Sequence, residues 1–246
     1  MMKYAFLLLA VGLVVACKQE NKIQVSKKES VVLNDSAMVE KVAVIEEEQD
    51  SVQPLKPLTE LESLADTSFV RLADYSNDFA FDMRYATDNN FLKTAVYDCA
   101  ECYTRAKTAK QLLKANTDFL SQGYRIKFFD CYRPLDVQKK MWKLVPNPMY
   151  VADPAKGSIH NRGGAVDITL VDMEGNELPM GTGFDFFGQK AHHTYKDLPA
   201  EVLEHRNLLK TTMEKYGFNA IESEWWHYNL GAMTGSKVAN FVWDCE

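Results

Sequence analysis

The sequence predicts one domain of mixed α and β structure, and three observations carry that reading. Apolar and polar residues alternate in short runs, from Phe79 to Tyr85, Tyr124 to Cys131 and Ala165 to Leu170, the two-residue period of strands. Two longer segments, residues 104–122 and 199–216, space their apolar residues at helical intervals. A length of 246 residues, 46% of them apolar, suits one sizeable core with extensions.

The chain begins outside that domain. Lys3 precedes a short apolar run that ends in Val14-Val15-Ala16-Cys17. The run is too short to span a bilayer comfortably. It reads as a lipoprotein signal peptide over residues 1–16, cut before Cys17, with Cys17 lipidated. An ordinary secretory signal is the alternative, and either way the chain is exported. Residues 17–65 are polar, rich in charge and without an aromatic residue. Such a segment offers little apolar area against its ordering entropy, so it is expected to be a flexible tether. The folded domain is expected over residues 66–246. The net charge of −6 makes nucleic acid an unsuitable partner.

Within the domain, Phe69, Leu72, Tyr75, Phe79, Met83 and Tyr85 supply apolar anchors. The helix over 104–122 buries Ala109, Leu112, Leu113 and Phe119 and stops at Gly123. The strand Tyr124–Cys131 delivers Tyr132-Arg133-Pro134, and Pro134 starts a helix with Val137, Met141 and Leu144 on one face. Arg133 therefore stands at a strand-to-helix junction. Residues 146–157 read as loop, 172–176 as a hairpin turn, and 181–188 as a glycine-punctuated loop carrying Asp185. The helix over 199–216 ends at Gly217, and Phe218–Ile221 is a strand. Beyond Leu230 a tail is expected to pack back through Phe241 and Trp243.

Two segments hold the chemistry. In Ser158-Ile-His160-Asn-Arg-Gly-Gly-Ala-Val-Asp167, Val166, Ile168 and Leu170 share one strand face and Asp167 the other. An acid inside an apolar strand is costly unless paired. Gly163-Gly164 permit a bend that folds His160 back toward Asp167. In Glu224-Trp225-Trp226-His227, the acid and the imidazole are three apart. A helical turn or a bulge would bring them to one side. A His, an Asp and a second His with one further acid make the minimum kit for a hydrolytic metal site. The bland alternatives are an Asp hydrogen-bonded to a loop and a pair of core tryptophans flanked by solvated polar groups. His192, His193 and His205 complete the five histidines and read as structural. Cys99, Cys102, Cys131 and Cys245 allow three pairings if all engage. Cys99-Ala-Glu-Cys102 could also be a redox pair or half a zinc site; a structural disulfide is favoured.

These motifs resemble those of zinc D-alanyl-D-alanine dipeptidases of the hedgehog/DD-peptidase fold. Asp82-Met-Arg-Tyr85-Ala-Thr, Asp130-Cys-Tyr-Arg133-Pro, His160 to Asp167, Phe184-Asp185-Phe and Glu224-Trp-Trp-His227 follow the family's order over roughly residues 70–235. The resemblance implies an α+β fold, a small antiparallel sheet with helices packed against it and zinc at the sheet face. It implies His160, Asp167 and His227 as ligands of one Zn2+, Glu224 as the base, and Arg133 aimed at the scissile carbonyl. Asp185 would meet the free amine of D-Ala-D-Ala, and Tyr85 and Ser158 would hold its backbone. The family's further tyrosine contact has Cys99 at the aligned place and Tyr97 beside it, which puts that contact in doubt. A lipid anchor on Cys17 would hold the enzyme in the bacterial cell envelope. The rivals are a zinc D,D- or L,D-carboxypeptidase acting on peptidoglycan stem peptides and a non-catalytic wall-binding lipoprotein.

Overall fold

The structure is a computed structural model that describes residues 54–245. The signal peptide, Cys17 and most of the expected tether lie outside the described residues. Strands β1 (Phe69–Arg71), β2 (Ala80–Phe81), β3 (Tyr103–Arg105), β4 (Tyr124–Asp130), β5 (Ala165–Asp172), β6 (Phe218–Ile221) and β7 (Glu224–Leu230) alternate with helices α1 (Leu58–Ser63), α2 (Ala106–Leu120), α3 (Leu135–Leu144) and α4 (Ala200–Lys215).

Five strands form one sheet in the order β2-β4-β5-β7-β6, and β1 pairs separately with β3. The α+β expectation holds. The main sheet is antiparallel except at its edge, where β2 runs parallel to β4. Helix α2 packs on β4, and α4 packs on β6, β7 and α2, so both cover one face. Val166, Ile168 and Leu170 join Ala109, Leu112, Leu209 and Met213 in that core. Alternation along β5 turns Asp167 to the opposite face, where the site is built.

Two expectations are corrected. The fold begins before residue 66. Helix α1 lies inside the segment assigned to the tether, and its Leu61 is buried in the main core. Lys110 Nζ donates to the carbonyls of Glu62 and Leu64. One leucine and a few helix-end bonds fasten a stretch whose average composition reads as tether. The run from Phe79 to Tyr85 is a strand only at Ala80–Phe81; Arg84–Ala86 is a 3-10 turn. Pairing with β4 reaches no further than Phe81 and Phe128. The turn then brings Tyr85 under the amides of Val96 and Tyr97, which donate to its carbonyl at 2.8 and 3.0 Å.

The four cysteines form two disulfides, Cys99–Cys245 and Cys102–Cys131. The two halves of the Cys-x-x-Cys thus go to different partners, which removes the redox-pair and zinc readings. The tail packs back as expected: Phe241 stacks on Phe69 and Trp243 on Tyr103 at 4.9 and 5.0 Å. Cys102 and Cys131 are buried and ties β3 to the end of β4. Closing their separation of 29 residues removes denatured-state entropy equivalent to ~3–4 kcal/mol. Replacing both by Ala is expected to lower the urea midpoint accordingly. A double variant as stable as the parent would show that this cross-link is dispensable.

Candidate active site

His160 enters through a 3-10 turn, His160–Arg162, that closes at Gly163 with φ +71°. A Cβ at Gly163 would lie 2.7 Å from Arg105 Cγ, and one at Gly164 would lie 2.5 Å from Met233 Cβ. The two glycines let the chain pass between β3 and the tail, and the expected fold-back of His160 onto β5 is found. On β5 and β7, Asp167 stands directly opposite His227. The register between β6 and β7 shifts after the Ala220–Tyr228 pair, so that Ile221 meets Glu224. That shift in register is the irregular strand entry expected from the Glu224–His227 spacing.

His160 Nε2 lies 3.2 Å from His227 Nδ1 and 3.5 Å from Asp167 Oδ2, and His227 Nδ1 lies 2.9 Å from Asp167 Oδ1. His160 and Asp167 are buried, and His227 is nearly so. The outer nitrogens identify the tautomers. His160 Nδ1–H donates to the Cys131 carbonyl at 2.7 Å, and His227 Nε2–H donates to Asn229 Oδ1 at 2.9 Å. In the neutral rings both acceptors leave the inner nitrogens as lone pairs. Two lone pairs and a carboxylate therefore face one another, and each offers an atom within 4.8 Å of the others. A metal ion reconciles them, as does a proton on His227 Nδ1 donated to Asp167 Oδ1 at 2.9 Å. Imidazole and carboxylate donors at this spacing suit Zn2+, so the residues fit the metal that the resemblance implies. Burial alone would raise the Asp167 carboxyl, but the two imidazoles hold it well below the carboxylate range. Burial lowers His227, and the Asp167 hydrogen bond outweighs it and raises that imidazole.

Glu224 opens β7, half-buried. Burial raises its pKa, with Asp167 adding and His227, His160 and Arg133 opposing. Arg133 sits at the junction of β4 and α3 as expected, and it is buried. Its Nη2 and Nε donate to Asp130 Oδ2 at 2.6 and 3.2 Å, and its Nη1 donates to Gln138 Oε1 at 2.9 Å. Its guanidinium lies 5.3 Å from the Tyr85 ring centre. The Arg133 amide donates to the His160 carbonyl at 3.1 Å, so the cation and the first imidazole are tied by backbone.

Tyr85 O–H donates to Asp185 at 3.0 Å, and the Phe91 amide donates to the same carboxylate at 3.4 Å. Ser158 stands apart from these contacts. Its hydroxyl accepts from the Asn161 amide at 3.3 Å and its amide donates to Asn161 Oδ1 at 2.7 Å, which stabilises the turn carrying His160. Asp130 lies within the Arg133 motif and Tyr97 beside the doubtful tyrosine contact, but the sequence gives neither a role. Asp130 is fully buried and accepts from Tyr97 O–H at 2.7 Å as well as from Arg133. An acid closing an apolar strand three residues before an Arg was the available signal. His193 and His205 lie away from the cluster: the His193 amide donates to the Glu222 carbonyl, and His205 Nδ1–H donates to the Pro179 carbonyl.

Asp185 has φ +60°, a conformation that costs a non-glycine residue about 1 kcal/mol or more. Burial, with Asp167 adding, pushes its carboxyl up to about 8. A carboxyl raised from about 3.9 in the unfolded chain binds its proton more tightly when folded. Its contribution to stability is present at low pH and is lost as pH rises through about 8. Asp185→Asn, which cannot ionise, should therefore stabilise the metal-free chain at about pH 9 by a few kcal/mol more than at about pH 4. Urea midpoints of both proteins at both pH values read this directly. Equal differences at the two pH values would contradict a buried, reluctant carboxylate.

Comparisons with known proteins point to one family. The family model described as D-ala-D-ala dipeptidase matches residues 65–242. The D-alanyl-D-alanine dipeptidase of Escherichia coli is 36% identical over 164 residues, 67% of this chain and 85% of its own. That of Enterococcus faecium is 31% identical over 183 residues, 66% of this chain and 91% of its own. A solved structure of a mutant D,D-pentapeptidase VanY from a VanB-type vancomycin resistance cassette, in complex with Zn(II), aligns with a TM-score of 0.36 and 15% identity. That alignment covers 52% of this chain and 73% of VanY, a likeness too slight to bear on the site.

Proposed function

The chain belongs to the D-Ala-D-Ala dipeptidase family, and from that premise we propose that it hydrolyses D-Ala-D-Ala to free D-alanine as a zinc metallopeptidase. The observation that carries the reading is the convergence of His160 Nε2, His227 Nδ1 and Asp167 on one point. We assign these three residues to one Zn2+. Bound there, the metal would polarise the scissile carbonyl and acidify a water.

The rest belongs to the protein. Glu224 takes the water's proton and returns it to the leaving amine. Its pKa is raised, due first to burial, which makes the carboxylate a stronger proton acceptor. Arg133 supplies a fixed positive charge to the oxyanion as the carbonyl turns tetrahedral. Asp130 and Gln138 hold that charge still, so it needs no reorganisation during the reaction. Asp185 meets the substrate's ammonium. Bringing a cation to a buried carboxyl favours the ionised form that burial alone disfavours, so Asp185 releases its proton to solvent as the ammonium binds. A peptide with a blocked amine would leave Asp185 without that partner, which favours a dipeptidase over a carboxypeptidase.

Incubation of zinc-loaded protein with D-Ala-D-Ala, L-Ala-L-Ala and N-acetyl-D-Ala-D-Ala, with free alanine quantified, tests this. Release is expected to be far faster from the first substrate than from the other two. A chelator should bring release to background and added Zn2+ should restore it. Faster release from the N-acetylated peptide would favour the carboxypeptidase.

We also assign residues 1–16 as a signal peptide and Cys17 as a lipidation site that anchors the enzyme in the cell envelope. The two disulfides support an oxidising compartment, and the apolar run into Cys17 supports the lipid. Cys17→Ser is expected to shift the protein from the membrane pellet to the soluble fraction and to abolish labelling by a fatty-acid analogue. Unchanged fractionation would refute the anchor.

A further inference from the structure

We infer that Arg206 is a positioning residue: it clasps both ends of the loop that carries Asp185 and thereby sets the enzyme's affinity for a free substrate amine. The inference deepens the proposed function and rests on its reading of Asp185.

Arg206 lies on α4, away from the cluster of His160, Asp167 and His227. It is 5% exposed, and no carboxylate pairs with it among the described residues. Its Nε donates to the Met180 carbonyl at 2.8 Å, its Nη2 to Lys190 at 2.8 Å and its Nη1 to His192 at 3.2 Å. Met180 immediately precedes the loop 181–189, and Lys190 and His192 follow it. One guanidinium therefore holds the entry and the exit together, and Asp185 stands at the middle in its left-handed conformation.

The same cation lies 5.9 Å from the centre of the Trp225 ring. Trp225 Nε1–H donates to Thr182 Oγ1, inside the loop, at 2.8 Å, and Trp225 adjoins Glu224. The loop is thus fastened to α4 at its two ends and to β7 near its start. Gly181, at φ +79°, is wedged so that a Cβ would lie 2.9 Å from Val202 Cγ1. Between these points Asp185 accepts from Tyr85 and Phe91 and Phe184 packs on Phe129 and Trp226, while Gly183 and Phe186 are exposed.

A buried cation without a counter-ion is an expensive way to tie a loop. Apolar packing would serve if the ends needed only to be near each other. A planar guanidinium instead donates to three carbonyls in one fixed geometry. That fixes where the loop sits, which matters when Asp185 must meet an ammonium within a few tenths of an ångström.

Arg206→Lys and Arg206→Met are the tests, with Lys deciding alone should Met fail to fold. Hydrogen exchange on the metal-free chain is expected to quicken for amides 181–190 and to stay unchanged in β5. On zinc-loaded protein, KM for D-Ala-D-Ala should rise about tenfold with kcat within about threefold. The preference over N-acetyl-D-Ala-D-Ala should shrink by the same factor. Unchanged exchange in the loop, or a loss of kcat with KM and preference intact, would overturn the clasp. Asp185→Asn in the parent separates the two levels. If that variant keeps the free-amine preference, the reading of Asp185 fails, while loop exchange still decides whether Arg206 holds the loop.

Discussion

Glu224→Gln is expected to lower kcat on D-Ala-D-Ala by ~10²–10⁴-fold, the range that a positioned acid–base group contributes. Gln keeps the size and polarity of the side chain and loses only the ability to carry a proton. Glu224 lies outside the set of His160, Asp167 and His227 that converge on one point, so zinc content should stay at one per chain. The Glu224 side chain makes no hydrogen bond among the described residues, and burial raises its pKa; the substitution strands no partner and should cost little stability. Steady-state rates together with elemental analysis give both readouts. A variant within tenfold of the parent would remove Glu224 from the mechanism. A variant that lost its zinc would make it a ligand instead.

Arg133→Lys carries the second large effect, a fall of ~10²–10³ in kcat, as when an oxyanion donor is removed. The charge survives, but the geometry does not. Arg133 uses three nitrogens at once, two on Asp130 and one on Gln138, with its plane near Tyr85. A lysine ammonium is a single point and cannot keep all of these contacts while facing a carbonyl. Lys is preferable to Ala, because Ala would leave the fully buried Asp130 without its cation at a cost of ~3–5 kcal/mol. Measuring kcat beside the urea midpoint separates chemistry from folding. Parent-like kcat in a folded Lys variant would assign Arg133 to structure alone.

How far the site was legible depends on the range of each signal. His160, Asp167, His227 and Glu224 could be singled out because their requirements are local: a glycine pair before a strand and a three-residue spacing that asks for a helical turn or a bulge. The helices α2 and α4 were legible for the same reason, since periodicity and the stops at Gly123 and Gly217 lie within one segment. Partners across the chain were not. Alternation says which side of β4 a residue takes, but not that Tyr97, 33 residues away, donates to Asp130. Three cysteine pairings were equally compatible with the spacing, and only the approach of the tail to residue 99 selects among them. The two-residue strand β2 has no pattern long enough to announce a parallel partner. Leu61 illustrates the opposite failure, where one apolar residue outweighs the polar average around it. Arg206 carried no local sign, because its carbonyl partners lie 14 to 26 residues upstream.

The cross-link between Cys99 and Cys245 spans 146 residues and has a practical corollary for anyone making this enzyme. Recombinant chain synthesised in a thiol-rich bacterial cytosol would lack this covalent fastening, and an affinity tag appended after Cys245 would hang beside Tyr97 and Trp243. Secretion into the periplasm, with any tag placed ahead of Leu58, is the production route that the architecture favours.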